Sequence, residues 1–510
     1  MLYDRISYTR SSVQREDGTR LVAARVAIEP PYAFEVHSSV QENRLLKLHD
    51  AAHLLYLKAR FRGAARPNVI VWDAYPHTET WGAPKLDSTA RGLVRVSKNA
   101  CINHSLRSLV RRGNITIVQG EPKVKMIRDE VDRQAGMYLE MLAGEGRLAT
   151  AGVGGDMAGG TEADVAAVGP AGFPSRYARE NRFPLVINSS YFLFEPEDYC
   201  SDFSLFGEAY GLHVHAGKIE LPPLFNRSAL LFTAKGEAVL RQVSLSDMIV
   251  HCLGRAWHLG EFSLNAPSRY AVFNRYYGVA ESGRTRGVTC PNSGNIDLII
   301  IGNAIVGYKV GGETEIPHNG IVLSLPVDEL APGEFDPVVR YSFASGEEFA
   351  EGIQCGPGLV RDGQIILDST TLAKEQFFRK RTHSDGTWDP GVVPTDYAED
   401  IDRTRAARVA LGVGFSGELL VLAVEAVNRG MAESAYESSG ITLKELAQLV
   451  QESGFKHALN LDGGGSANIQ YAYGSLIRGA DRRGLPGVIY ERMVPSVGVA
   501  RILGMEGYQV

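Results

Sequence analysis

The chain has 510 residues, 44% of them hydrophobic and 22% charged, with a formal net charge of -6. That length predicts two or three separately packed units, and no apolar stretch approaches the ~18 residues of a membrane-spanning helix. The acidic balance, with no dense Lys/Arg block, argues against nucleic acid as a partner and leaves only local anion sites open.

The opening "MLYDRISYTR" lacks the apolar core of a signal peptide, so a cytoplasmic location is the default expectation. Cys101, Cys200, Cys252, Cys290 and Cys355 are widely spaced, with no C-x-x-C pair. They predict buried or idle thiols, not a zinc site or a disulfide framework.

In chain order, "QENRLLKLHDAAHLLYLKARF" places Leu45, Leu46, His49, Ala52 and Leu55 at helical spacing, and "NVIVWDAYP" reads as a buried strand. "KVKMIRDEVDRQAGMYLEML" predicts a second amphipathic helix, followed by a Gly/Ala-rich segment without periodicity. The expected division is an amino-terminal α/β domain over residues 1–145, a linker over 146–175, and a larger domain over 176–510. That larger domain is rich in short β-type runs such as "FPLVINSSYF", "SALLFTAKGEAVL" and "IDLIIIGNAIVGYKV". The fold class expected is therefore α+β, a mixed, sheet-rich catalytic domain with packed helices behind a smaller α/β domain.

Towards the carboxyl end, "RVALGVGF" and "ELLVLAVEAV" read as strands, "ITLKELAQLVQESGF" as a helix and "HALNLD" as another strand. Thr442 with Glu445 forms a capping-box pattern, Leu443, Leu446, Ala447 and Val450 one apolar face, and Gly454 a stop. Asp462 then leaves the last strand directly ahead of Gly463, Gly464, Gly465 and Ser466. A linker would follow the last element of a domain, yet this run lies between an apolar strand and the sheet-like "ANIQY". Glycines there let main-chain N–H groups approach a ligand without a Cβ in the way. No lysine follows them, so a phosphate-binding P-loop is not supported.

"GITLKELAQLVQESGFKHALNLDGGGSANIQY" resembles the phosphodiester glycosidase family. "FPLVINSSYF", "EIPHNGIVLSL", "QCGPGLVRDGQ", "RVALGVGFSGELLVLAVEAV" and "ERMVPSVGVARI" follow the family's other elements in order, over about residues 183–502. The chain departs from the family pattern at Ser189 and Ser190, at Val409 after Arg408, and at Glu425-Ala426-Val427. The resemblance implies hydrolysis of a sugar-1-phosphodiester at the anomeric C–O bond, through a state that is positive on the sugar and increasingly negative on the departing phosphate.

On that basis Asp462 is the first choice for the carboxylate facing the anomeric carbon, Glu425 the second, and Arg408 and Arg492 suit the phosphate. Asn188 and Ser466 would bond sugar hydroxyls, and the N–H groups of Gly463, Gly464 and Gly465 sugar or phosphate. The implied partner is a small-molecule or glycan sugar phosphate; no cofactor, metal, nucleic acid or membrane is assigned, and self-association is left open. A carbohydrate- or sugar-phosphate-binding protein without catalysis is the alternative, and a P–O-cleaving phosphodiesterase a further one.

Two weaker patterns compete. "GLHVHAGK" sets His213 and His215 at a metal-ligand spacing for a strand, but without a third ligand nearby they are expected to be solvated histidines. "NVIVWDAYPHTET", with His104 in "INHSL", resembles part of the D-alanyl-D-alanine dipeptidase signature, whose remaining ligands are missing.

Overall fold

The computed structural model describes residues 5–38, 174–193, 208–282, 285–329, 338–368, 370–379, 396–397, 404–427, 438–480, 491–492 and 494–503, with four strands between residues 54 and 103. It contains two compact units, a larger one of residues 1–46, 173–192 and 209–510 and a smaller one of 47–172 and 193–208. The first three strands therefore belong to the larger unit, where the sequence pattern had set residues 1–145 apart as one domain. No helix among the described residues is long and apolar enough to cross a membrane.

Within the smaller unit, Leu54–Ala59, Asn68–Asp73, Leu93–Ser97 and Ile102–Asn103 form one sheet in chain order. The middle pair is parallel and the outer pairs antiparallel. Leu54–Ala59 is a strand where helical spacing predicted the end of a helix. A short apolar run fits either period, and here pairing with Asn68–Asp73 decides it. The second expected helix, the Gly/Ala-rich segment and His104 lie outside the described residues.

The larger unit is mainly antiparallel sheet. The elements that frame its site are, in chain order, β1 (Ile6–Gln14), β2 (Arg20–Ile28), β3 (Tyr32–Ser38), α1 (Pro174–Asn181), β4 (Leu185–Asn188), β5 (His213–His215), β6 (Lys218–Leu221), β7 (Arg227–Phe232) and β8 (Ala238–Val243). They continue with β9 (Glu351–Gln354), β10 (Gly358–Arg361), β11 (Arg408–Gly414), β12 (Leu419–Val424), α2 (Leu443–Glu452), β13 (Phe455–Asn460), β14 (Ile469–Tyr471) and β15 (Ser496–Ile502). One sheet runs β1-β2-β12-β11-β13-β10 and ends on Gln364–Ile365; a second runs β3-β15-β4-β14 and ends on Gly474–Ser475; a third runs β6-β5-β9-β7-β8.

β11 and β12 are buried along their whole lengths, as near-continuous apolar runs require. α2 closes one face of the first sheet with Leu443, Leu446, Ala447 and Val450, which pack against Ala410, Leu420, Leu422, Phe455 and Ala458. Its capping box forms as the spacing predicts: the Glu445 N–H donates to Thr442 Oγ1 at 3.2 Å, and the Thr442 N–H to Glu445 Oε2 at 2.8 Å. β12 and β13 both run antiparallel to β11 and flank it, so α2 carries the chain across β11 between two strands of the same direction. β11 and β13 meet so closely at Gly412 that a Cβ there would lie 1.9 Å from the His457 carbonyl oxygen.

This topology gathers three distant positions at one end of the sheet. Arg408 opens β11 and faces Val424, so Glu425 lies one residue beyond it; Asn460 faces Ala410, and Asp462 follows two residues later.

Candidate active site

Asp462 is placed by the backbone around it. Its N–H donates to the Ser189 carbonyl at 3.1 Å, and its carbonyl accepts from Asn188 Nδ2 at 2.7 Å. Asn188 is itself buried, and its Oδ1 accepts from the Asn468 N–H at 2.9 Å. Asn188 thus braces the turn and does not present its amide to a ligand, contrary to the sugar-binding role expected of it.

The glycines serve the same end. The Gly463 N–H donates to Asp462 Oδ1 at 2.9 Å and the Gly464 N–H to the Ala407 carbonyl at 2.8 Å, so these two groups hold the site together and are not offered to sugar or phosphate. A Cβ on Gly463 would sit 2.7 Å from the Ala407 oxygen, and Gly464 has φ +57, which favours glycine. Gly465 borders an open cavity.

The Asp462 carboxyl is pushed up to about 6 by burial, against the opposing pull of a Ser466 hydrogen bond, the Arg492 and Arg408 guanidinium charges and the Gly463 N–H. Asp462, Ser466, Arg408 and Arg492 are therefore one cluster. Arg492 donates to Ser466 Oγ at 3.3 Å, and the buried Arg408 donates to the carbonyls of Ile441 at 3.4 Å and Thr404 at 3.2 Å. Behind them Asn460 Nδ2 donates to Tyr191 Oη at 3.1 Å, and Tyr191 to the Gly356 carbonyl at 2.9 Å. Burial pushes the nearby Cys355 thiol up, which keeps it protonated and unreactive.

Glu425 is buried in a different setting. It accepts from Arg10 Nη2 at 3.3 Å and the Arg478 N–H at 3.0 Å, and the Ser438 hydroxyl donates to its main-chain carbonyl. Its bonds hold Arg10 and the 478 turn in place. Ser189 and Ser190, the departures from the family turn, both meet Ser496, at 2.8 and 2.7 Å, and Ser190 also meets His213 at 2.8 Å.

Beside the cluster lies a cavity of about 560 Å³ whose wall includes Arg10, Arg179, Arg478, Arg492, Glu491 and Gly465. Four guanidinium groups around one concavity suit a doubly bonded anion such as phosphate. Glu491 accepts from the Ser175 N–H at 2.7 Å, from the Ser175 hydroxyl and from Asn468 Nδ2 at 3.0 Å, and burial raises its carboxyl above the usual range. Of these residues only Arg492 and Gly465 were singled out from sequence. Arg10 and Arg179 arrive on β1 and α1, far along the chain from Asp462, and Glu491 is marked only by standing beside Arg492.

The two strand histidines are not solvated. His213 is fully buried, and burial pushes it down to about 4. His215 is mostly buried and meets Glu351 at 3.1 Å.

The fold and site so far define a sheet-rich domain with a buried carboxylate between arginines at a sheet end. Residues 302–498 match the family described as phosphodiester glycosidase, the family the sequence motifs resemble. The matched segment contains Asp462, Arg408, Glu425 and Arg492, and Asn188 lies before it. Among solved structures, a hypothetical protein from Synechocystis aligns at 14% identity and TM-score 0.43, covering 98% of this chain and 62% of its own. The chain thus spans under two thirds of that protein's length. The zebrafish N-acetylglucosamine-1-phosphodiester alpha-N-acetylglucosaminidase catalytic domain, auto-inhibited by its pro-peptide, aligns at 10% identity and TM-score 0.36, covering 97% of this chain and 82% of its own. No curated protein matches the chain.

Proposed function

We propose that this protein hydrolyses the anomeric C–O bond of a sugar-1-phosphodiester, releasing sugar and a phosphomonoester. The observation that carries the proposal is the Asp462 carboxyl, raised by burial and flanked by Arg408 and Arg492 beside an arginine-lined cavity. A phosphomonoester leaves readily as an anion, so the reaction needs little help from a general acid and more from donors that hold the departing charge. Arg492 supplies that donor, and Arg10, Arg179 and Arg478 line the same cavity. Arg408 sits deeper and acts on Asp462 through its charge.

Asp462, ionised, faces the anomeric carbon or orients the attacking water, and loss of a proton near pH 6 makes it competent at neutral pH. Ser466 holds both Asp462 and Arg492 and fixes their separation. Glu425 positions Arg10, and Glu491 is the carboxylate that borders the cavity.

The test is incubation of the full-length protein with alkyl phosphodiesters of α-glucose 1-phosphate and α-N-acetylglucosamine 1-phosphate. Release of free sugar with an alkyl phosphate is expected. Calorimetric binding of these compounds without turnover would assign the site to a sugar-phosphate-binding protein instead.

A further inference from the structure

We propose that Glu35, His37 and His215 form a binding site for a divalent first-row transition ion, separate from the Asp462 cluster. Glu35 and His37 stand two residues apart on β3 and so share a face of the strand. His215 comes from β5, in a different sheet, packed against that face. One ligand atom from each of the three lies within 4.8 Å of the other two. Tetrahedral zinc with arms of about 2.1 Å holds its ligand atoms roughly 3.4 Å apart, so small side-chain rotations close the site. Two imidazoles and a carboxylate are a donor set suited to zinc and its neighbours and poor for calcium or magnesium.

The surrounding groups are those a metal-binding histidine uses. His215 Nδ1 lies 3.1 Å from the Glu351 carboxylate, which is fixed by the N–H groups of Val36 and Ala216, both at 3.0 Å. His37 Nδ1 lies 2.7 Å from Tyr177 Oη. A carboxylate or hydroxyl on one ring nitrogen orients the ring and fixes the tautomer that leaves the other nitrogen as a ligand. His37 Nε2 meets Glu35 Oε2 at 2.8 Å, and an ion would take the place of the hydrogen bond between them. Arg501 lies 2.6 Å from Glu35 Oε1, the oxygen other than the one that meets His37.

Glu35 and His215 also border a cleft of about 550 Å³ with Glu351, Arg501 and Lys235 on its wall. The cleft gives the ion a way in and leaves its remaining coordination position to water or a small anion. The sequence offered His213 and His215 as the natural pair, because residues two apart share a face of a strand, but their contacts differ. His213 points to Ser190, and the true partners of His215 come from β3.

The full-length protein, freed of metal with chelator, would be titrated with Zn²⁺ in competition with a chromophoric chelator, beside His37→Gln, His215→Gln and the exposed-site control His251→Gln. One Zn²⁺ per chain is expected for wild type and the control, with affinity at least about 10-fold weaker in the other two variants. Absence of one-to-one binding, or binding that both variants leave unchanged, overturns the proposal. Should either variant fail to fold by circular dichroism, Co²⁺ added to the wild type decides. Intense visible bands of a four-coordinate centre are expected, and the weak spectrum of six-coordinate hydrated Co²⁺ overturns the site.

Discussion

Asp462 ionises near pH 6, not near 3.8, because burial removes more hydration from its carboxylate than Arg408, Arg492, Ser466 and the Gly463 N–H restore. The folded protein therefore holds this proton more tightly than the unfolded chain does. The stabilisation is fully present below about pH 3.8 and is lost as pH rises through about 6. The ionised carboxylate costs on the order of 3 kcal/mol at neutral pH. Asp462→Asn is thus expected to melt higher than wild type at pH 8 and close to it at pH 4, by calorimetry at both values. A variant that melts lower throughout would mean the carboxylate is a structural keystone. Activity has the opposite dependence: kcat/KM should rise with pH and level off above an apparent pKa of about 6. Arg492→Ala removes the donor on the cavity wall and is expected to lower kcat/KM about 100-fold with less than about 1 kcal/mol lost in stability. A loss confined to stability would make Arg492 an ordinary ion-pair partner.

At the scale of elements, α2 has the job of spanning β11 so that β12 and β13 can flank it, and its first turn is held by the Thr442–Glu445 box. Thr442→Ala should cost about 1 kcal/mol in urea unfolding and leave kcat unchanged, since Arg408 meets the main-chain carbonyl of Ile441 and not the Thr442 side chain. A marked drop in kcat would mean that the helix start sets the geometry of the Arg408 end of the sheet. This helix and the strands around it were legible in the sequence because their signals are local: a cap, an apolar stripe, a stop at Gly454 and continuous apolar runs. Leu54–Ala59 was misread for the matching reason. Its six residues fit two periods, and the strand that decides between them lies further along the chain. The Asp462 turn was legible as a special backbone, but the glycines serve close packing against Ala407 and the carboxylate itself, which spacing alone does not distinguish from ligand contact.

At the scale of the molecule, residues 6–38 are woven into the larger unit. β2 pairs with β12, β3 pairs with β15, and Arg10 on β1 reaches the cavity beside Glu425. None of this was readable from composition, because the pairs are hundreds of residues apart and no strand carries a local mark of its partner. The Gly/Ala-rich stretch suggested a boundary, yet the chain has already supplied three strands to the larger unit before reaching it. A chain shortened to begin at residue 39 would expose the edges of β12 and β15 and is expected to aggregate instead of giving a cooperative melt. A soluble, cooperatively melting product would show those strands to be accessory. The central claim is that Asp462 serves cleavage at the sugar carbon. It is tested most directly by running the reaction in ¹⁸O-water with wild type and Asp462→Asn and locating the label by mass spectrometry. Label on the released sugar, together with loss of at least about 1,000-fold in rate for the variant, is expected. Label on the phosphate, or a variant that turns over at the wild-type rate, would contradict it.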